Sequence, residues 1–171
     1  LHPVAHSFPT RRSSDLQLIH PLEDLTVLEN VMTGFLFAGK RTLKDARVGA
    51  REVCTSLGLD RLNRETSQLN ILETKKMEIA KALAIEPSVL FLDEVMAGLN
   101  STETMDIIGT IRSIAADRGM GIGVVEHVMG VIQKLTERVI VLDGGAVIAA
   151  GPYAEVSKDP RVISAYLGGS V

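Results

Sequence analysis

The chain has 171 residues, of which 46% are hydrophobic and 23% charged, so it can bury a core and is not a disordered tail. Its formal net charge of −3 argues against nucleic acid as the main partner. The single cysteine, Cys54, excludes a disulfide framework and fits a reducing compartment, and no apolar run approaches the roughly 20 residues that span a bilayer.

The first residues of the chain need separate treatment. Residues 6–16 match, codon by codon, the translation of a common sequencing adapter. We therefore treat residues 1–16 as foreign to the protein and expect them to be disordered; a native basic loop is the alternative. On this interpretation the protein's own N-terminal portion is missing before residue 17.

Two amphipathic helices are predicted next. Apolar residues fall at helical spacing from Leu25, with Glu29 and Asn30 assigned to the polar side. Residues 44–57 repeat the pattern and end at Gly58, a residue suited to a helix C-terminus.

A third helix leads into a strand that ends in two acids. The helix is predicted over residues 73–85 and is stopped by Pro87. Residues 89–92 are all apolar, as expected for a strand buried in a parallel sheet. Asp93 and Glu94 follow at the carboxyl end, where open α/β sheets bind ligands. Two acids there can divide the work, one orienting a metal ion and the other a water molecule.

The rest of the chain alternates between helix and strand patterns. Asn100 and Glu103 have the spacing of a capping box, and Met105 belongs to the apolar stripe of the helix that follows. The later elements are a strand at 122–126, a helix at 128–135, strands at 138–142 and 146–150, and helices at 153–156 and 160–167. The two glycines of the turn at 143–145 favour a β-hairpin. This order indicates an open α/β sheet after a helical region.

Several of these motifs together resemble the ATP-binding cassettes of ABC transporters. Asp93 and Glu94 resemble the end of the Walker B strand, residues 97–100 lie where the family has its D-loop, and His127 lies where it has its switch histidine. Residues 25–31 look like the start of the family's helical subdomain. The resemblance therefore joins the two acids to motifs on either side of them.

The resemblance covers nearly all of residues 17–171, and residues 159–168 are similar to the end of the ATPases that energise branched-chain amino acid importers. It implies an α/β, P-loop NTPase-like ABC cassette that lacks its first βα unit. An α-helical subdomain with the Q-loop would occupy residues 17–87. The parallel-sheet core with its C-terminal β-hairpin would occupy residues 88–171.

The resemblance also implies a role for individual residues. Asp93 would hold Mg²⁺, Glu94 would polarise the attacking water, and His127 would donate a hydrogen bond to the γ-phosphate of ATP. Gln17 would be the Q-loop glutamine that senses metal and water, and Asn100, in the D-loop, would lie near the nucleotide. The structural alternative is an acid pair that merely ends a strand and a histidine without a catalytic role.

One motif departs from the family pattern. Where the family has Leu-Ser-x-Gly-Gln, residues 69–73 read Leu-Asn-Ile-Leu-Glu; we call this segment the signature. Asn70 can still donate a hydrogen bond to a nucleotide, but Leu72 adds bulk where backbone must come close and Glu73 adds negative charge near phosphate. The alternative is a plain loop before a capped helix. The departure predicts an asymmetric heterodimer with a second cassette.

The sequence contains no G-x-x-x-x-G-K-[ST] phosphate-binding loop, which in the family would precede Gln17. The fragment is therefore predicted to be inactive. For the intact protein the resemblance implies ATP hydrolysis with Mg²⁺, a cytoplasmic location on the inner face of the cell membrane, transmembrane permease subunits, a second cassette and, indirectly, a solute-binding protein. The alternatives are a regulatory, weakly hydrolysing cassette and a cassette acting on ribosomes or DNA.

Overall fold

The computed structural model describes residues 13–16, 21–38 and 42–167. The strands are β1 (Ser13–Leu16), β2 (Val89–Asp93), β3 (Gly121–Val125), β4 (Val139–Asp143) and β5 (Ala146–Gly151). The helices are α1 (Val27–Phe37), α2 (Leu43–Ser56), α3 (Ile71–Ala84), α4 (Ser101–Arg118), α5 (Met129–Leu135), α6 (Tyr153–Val156) and α7 (Pro160–Leu167), with a 3₁₀ turn at Thr66–Gln68. In the part of the chain described, no helix is long and apolar enough to cross a membrane.

The chain divides into two compact units, Leu1–Val125 and Glu126–Val171. The first contains the parallel sheet and helices α1 to α4, and the second contains the hairpin and the closing helices. The predicted boundary between residues 87 and 88 stays a prediction about subdomains inside the first unit.

Reciprocal caps explain where the four long helices begin. The cap residues are Thr26, Thr42, Asn70 and Asn100. Each side chain accepts the backbone N–H three residues on, and the acid at that position accepts the N–H of the cap residue. This arrangement satisfies two of the donors that a helix N-terminus leaves without partners. The box at Asn100 was predicted, and the other three have a similar spacing.

Three helix predictions need correction. Helix α3 begins at Ile71 rather than residue 73, because the cap lies at Asn70. Asn30, assigned to the polar side of α1, is 0% exposed. Met105, assigned to the buried stripe of α4, is 40% exposed, because it lies outside the row that includes Ile107 and other isoleucines.

The parallel sheet has the order β1-β2-β3. Leu90 and Leu92 of β2 are buried, whereas Phe91 between them is 44% exposed. The continuous apolar run predicted burial on both faces, so Phe91 corrects that prediction. Leu92 pairs with Val124 and Asp93 with Val125. The carboxyl ends of β2 and β3 therefore lie side by side.

Strand β1 lies inside the segment for which disorder was expected. Ser13–Leu16 pairs in parallel with β2, with Ser13 opposite Val89 and Leu16 opposite Leu92. The expectation is therefore wrong for these four residues; residues 1–12 lie outside the described part of the chain. The physical reason is that the edge of β2 offers a row of N–H and C=O groups with which an extended segment can pair.

Helices α1 and α3 approach closely at Gly34. A Cβ atom built there would lie 2.6 Å from the carbonyl oxygen of Lys81 and 2.7 Å from the Cβ atom of Ala84. We expect Gly34→Ala to lower the free energy of unfolding by about 1–3 kcal/mol, because backbone atoms must move apart. Urea unfolding of the 171-residue chain measures the change.

Gly109 on α4 supplies the matched control for that substitution. A Cβ atom there would meet nothing within 4 Å. Gly109→Ala should therefore stabilise the chain by roughly 0.5–1 kcal/mol through helix propensity alone. Equal effects of the two substitutions would contradict the close contact.

The second unit confirms the predicted hairpin. Strands β4 and β5 pair antiparallel, and the turn residues Gly144 and Gly145 have φ of 54° and 81°, the left-handed values that a two-residue hairpin turn requires. A small core of Val141, Ala149 and Val156 holds α6 against the hairpin.

Candidate functional site

The two predicted acids lie at the carboxyl end of β2. Asp93 is half-buried and pairs with Val125 of β3. Glu94 is exposed, and its backbone N–H donates to the carbonyl oxygen of Val125 at 3.0 Å. Two neighbouring strands therefore hold the acids at the carboxyl end of the sheet, as the sequence predicted.

Glu94 adopts an uncommon backbone conformation. Its φ is 46°, which costs a residue with a side chain about 1–3 kcal/mol relative to ordinary backbone. The carbonyl oxygen of Glu94 accepts from the N–H of Ala97 at 3.1 Å, so a tight turn maintains this conformation. Such strain is concentrated at functional sites, and here it turns the chain sharply just after the metal-ligand candidate Asp93.

The carboxylates fit only one of the two common kinds of magnesium site. Among the residues that the structure describes, no group of three or more His, Cys, Asp or Glu side chains could hold a metal ion. Magnesium in phosphate-handling sites is commonly held by one or two carboxylates together with water and substrate phosphates. Asp93 fits that donor set, and a cage made of protein ligands alone does not.

The D-loop segment, residues 97–100, follows the turn. Gly98 has a φ of 84°, and a Cβ atom there would lie 3.6 Å from the Cγ2 atom of Ile71, the first residue of α3. The side-chain oxygen of Asn100 accepts from the backbone N–H groups of Thr102 and Glu103, both at 3.0 Å. The cap thus uses that oxygen, and the amide nitrogen of Asn100 is the group that could donate to a ligand.

The signature is held closed by its own side chains. The side-chain oxygen of Asn70 accepts from the N–H of Glu73 at 2.8 Å, and Oε2 of Glu73 accepts from the N–H of Asn70 at 3.0 Å. The carboxylate of Glu73 therefore lies at the positive end of the α3 dipole, where an external anion would otherwise bind.

Arg64 completes this closed arrangement. Its Nη1 donates to Oε1 of Glu73 at 3.0 Å, and its Nη2 donates to the carbonyl oxygen of Gln68. A polar hollow of about 420 Å³ lies beside these groups and is also lined by Arg61 and Asn70. Sequence reasoning missed Arg64, since it precedes Glu73 by nine residues and only the intervening loop brings the two together.

For the other two predicted residues, a place at this site stays a prediction. His127 is exposed, lies between β3 and α5 and belongs to the second unit, so its pairing with Glu94 stays a prediction. Gln17 lies outside the described residues.

Comparison with known proteins supports the family resemblance. A family model described as "Branched-chain amino acid ATP-binding cassette transporter" matches residues 146–171. The branched-chain amino acid transport ATP-binding protein LivG of Salmonella typhimurium is 30% identical over 168 residues, 89% of this chain and 66% of LivG. The methionine import ATP-binding protein MetN 1 of Rhodococcus jostii is 35% identical over 138 residues, which cover 80% of this chain.

Solved structures show the same fold. The ADP conformation of MJ1267, an ATP-binding cassette of an ABC transporter, superposes with a TM-score of 0.74 at 26% identity, over 87% of this chain and 65% of MJ1267. The chain thus spans about two thirds of LivG and of MJ1267, and 40% of MetN 1. Because the parallel sheet, the acids that end β2 and these relatives agree, the chain belongs to the ATP-binding cassettes of ABC transporters and resembles those of branched-chain amino acid importers.

Proposed function

We propose that this chain is part of the ATP-hydrolysing subunit of an ABC importer for branched-chain amino acids. The observation that carries the proposal is the placement of Asp93 and Glu94 at the end of β2, beside Val125 of β3. The similarity to LivG supports the transported class.

The proposed chemistry follows from the family resemblance and, for Asp93 and Glu94, also from their position at the end of β2. Asp93, half-buried at the strand end, would hold Mg²⁺, which when bound neutralises charge on the phosphates. Glu94 would orient a water and accept its proton. His127 would donate a hydrogen bond where negative charge develops, and Gln17 and Asn100 would contact the nucleotide or its water.

The proposed assembly follows from the family. A second cassette, transmembrane permease subunits and, indirectly, a solute-binding protein would complete the importer, with this chain on the inner face of the membrane. The closed signature supports a heterodimer in particular. Glu73 and Arg64 form an ion pair with each other at the N-terminus of α3, which makes this signature poorly suited to bind the partner's nucleotide.

The same observation favours a second candidate, a regulatory cassette that pairs with an active ATPase and hydrolyses little ATP itself. The two candidates differ in what Glu94 does. An enzyme needs its carboxylate for turnover, whereas a regulator does not.

A chimera tests the proposed function. We define the complete cassette as residues 17–171 preceded by an N-terminal segment from an ABC cassette that contains a G-x-x-x-x-G-K-[ST] phosphate-binding loop. Produced in cells that lack LivG, it should restore leucine uptake and, when purified with its permeases, release phosphate from ATP. The 171-residue chain alone should show no heat of binding with 1 mM ATP, about the upper end of ordinary KM values, because no loop cradles the phosphates.

Each result has a clear opposite. Tight ATP binding by the 171-residue chain would contradict the prediction about the fragment. ATP hydrolysis without leucine uptake would contradict the proposed substrate class, and neither activity from a folded complete cassette would contradict the proposed function as a whole.

A further inference from the structure

Asn30 is a fully buried polar residue of α1, 0% exposed. Its Oδ1 accepts from the N–H of Leu22 at 2.9 Å. Its Nδ2 donates to the carbonyl oxygens of Leu22 at 3.0 Å and of Leu25 and Thr26 at 3.1 Å each. The orientation of the amide is fixed, because carbonyl oxygens only accept and the backbone N–H only donates.

These hydrogen bonds attach the segment at residues 22–26 to α1. The backbone of the segment adds a bond from the N–H of Leu25 to the carbonyl oxygen of Leu22 at 3.1 Å. The Leu22 side chain is 46% exposed, so its own burial contributes little to the attachment. Thr26, at the other end of the segment, is the N-cap of α1, and the amide of Asn30 is the group that holds the Leu22 end against the helix.

The start of α1 is joined in turn to the loop before the signature. The N–H of Val27 donates to the carbonyl oxygen of Arg64 at 3.0 Å, and the N–H of Leu28 donates to that of Leu62 at 2.9 Å. The side chain of Arg64 continues to Glu73 at the start of α3. Hydrogen bonds, together with the backbone of α1, thus connect residue 22 to the signature.

We propose that Asn30 is a positioning residue that makes residues 22–26 move as one body with α1 and the signature. The inference rests on the proposed function, since Gln17, the predicted nucleotide-sensing residue, precedes Leu22 by five positions. Residues 22–26 lead from that part of the chain into α1, and the amide of Asn30 holds the Leu22 end of this link against the helix. Asn30 acts through the backbone it holds and is not a catalytic residue.

Hydrogen exchange on the 171-residue chain tests the tie independently of any activity. Asn30→Ala leaves the N–H of Leu22 without its acceptor, so protection of that amide should fall about tenfold or more relative to amides inside α3. Asn30→Ser, whose short hydroxyl cannot reach both Leu22 and Leu25, should give the same pattern in a milder form.

Val31→Ala is the matched control, because Val31 is equally buried in the same helix and has no polar group that could hold the segment. It should lower protection at Leu22 and in α3 alike. If Val31→Ala reproduces the selective loss at Leu22, or if Leu22 stays protected in both Asn30 variants, the tie is refuted.

The complete cassette, assembled with its permeases, tests the consequence for transport. Asn30→Ala should lower leucine uptake per ATP hydrolysed by about fivefold or more, a coupling loss of the size typical between sites. Basal ATP hydrolysis should stay within about twofold, since Asn30 lies away from Asp93 and Glu94 in sequence and in role. Val31→Ala should leave the uptake-to-hydrolysis ratio unchanged.

An unchanged ratio in Asn30→Ala, or an equal fall in Val31→Ala, would overturn the positioning role. A wild-type complete cassette that hydrolyses no ATP would instead contradict the proposed function, and the hydrogen-exchange result would still decide whether Asn30 ties the segment.

Discussion

Glu94→Gln in the complete cassette is expected to lower ATP turnover by about a hundredfold or more, the usual contribution of a positioned general base. The substitution keeps the size and the polarity of the side chain and removes the atom that would accept a proton from water. The strained turn at Glu94 should persist, because it is maintained by backbone bonds to Val125 and Ala97. Phosphate release at saturating ATP measures the effect, and binding of a nucleotide should be retained.

Glu52→Gln supplies the matched control, as Glu52 is an exposed acid on α2. It removes the same charge and should leave turnover within about twofold. If Glu94→Gln also keeps most of the turnover, hydrolysis in the importer comes from the partner cassette and the regulatory candidate replaces the enzyme.

Much of the fold was predictable where local signals decide the structure. The hairpin turn at Gly144 and Gly145 and the two closing helices agree with the sequence, because turn glycines and helical periodicity act over a few residues. Strand β1 was not predictable from its own residues. It exists because β2 offers a free edge, which is a property of the sheet rather than of the segment Ser13–Leu16.

The burial of Asn30 shows a second limit. Periodicity assigns a polar residue to the solvent side of a helix, and that rule fails when an incoming loop needs hydrogen-bond partners in the interior. A visible signal existed, since Asn30 lies four residues before Gly34 and one turn after Val27, all of them buried. Asparagine on an otherwise apolar face could have been interpreted as a loop anchor.

The candidate site also has features that the sequence predicted and features that it did not. The position of Asp93 and Glu94 was predictable because the residues that end a parallel strand lie at the carboxyl end of the sheet. The contact between Arg64 and Glu73 was not, because it depends on the path of the loop between them. This arrangement also refines the interpretation of the altered signature. The place at the N-terminus of α3 where an external anion would bind is occupied by the carboxylate of Glu73 in the same chain.

Replacing this carboxylate together with the altered signature residues should restore the site that α3 completes in a partner cassette. The test uses a heterodimer in which this chain carries Glu94→Gln. The remaining turnover then comes from ATP bound at the partner cassette's site. In that background, adding Asn70→Ser and Leu72→Gly should have a small effect, because serine at position 70 can still form a capping box with Glu73.

Adding Glu73→Gln to those two changes should raise the remaining turnover by about tenfold, or ~1.4 kcal/mol, within the effect of a charge at a helix end. Glutamine still closes the capping box, while the guanidinium of Arg64 loses its ion-pair partner and becomes available to phosphate. Glu73→Gln alone separates the charge effect from the bulk of Leu72. If neither the triple nor the single variant changes phosphate release, α3 does not serve the partner's site, and the asymmetry of the heterodimer must arise elsewhere.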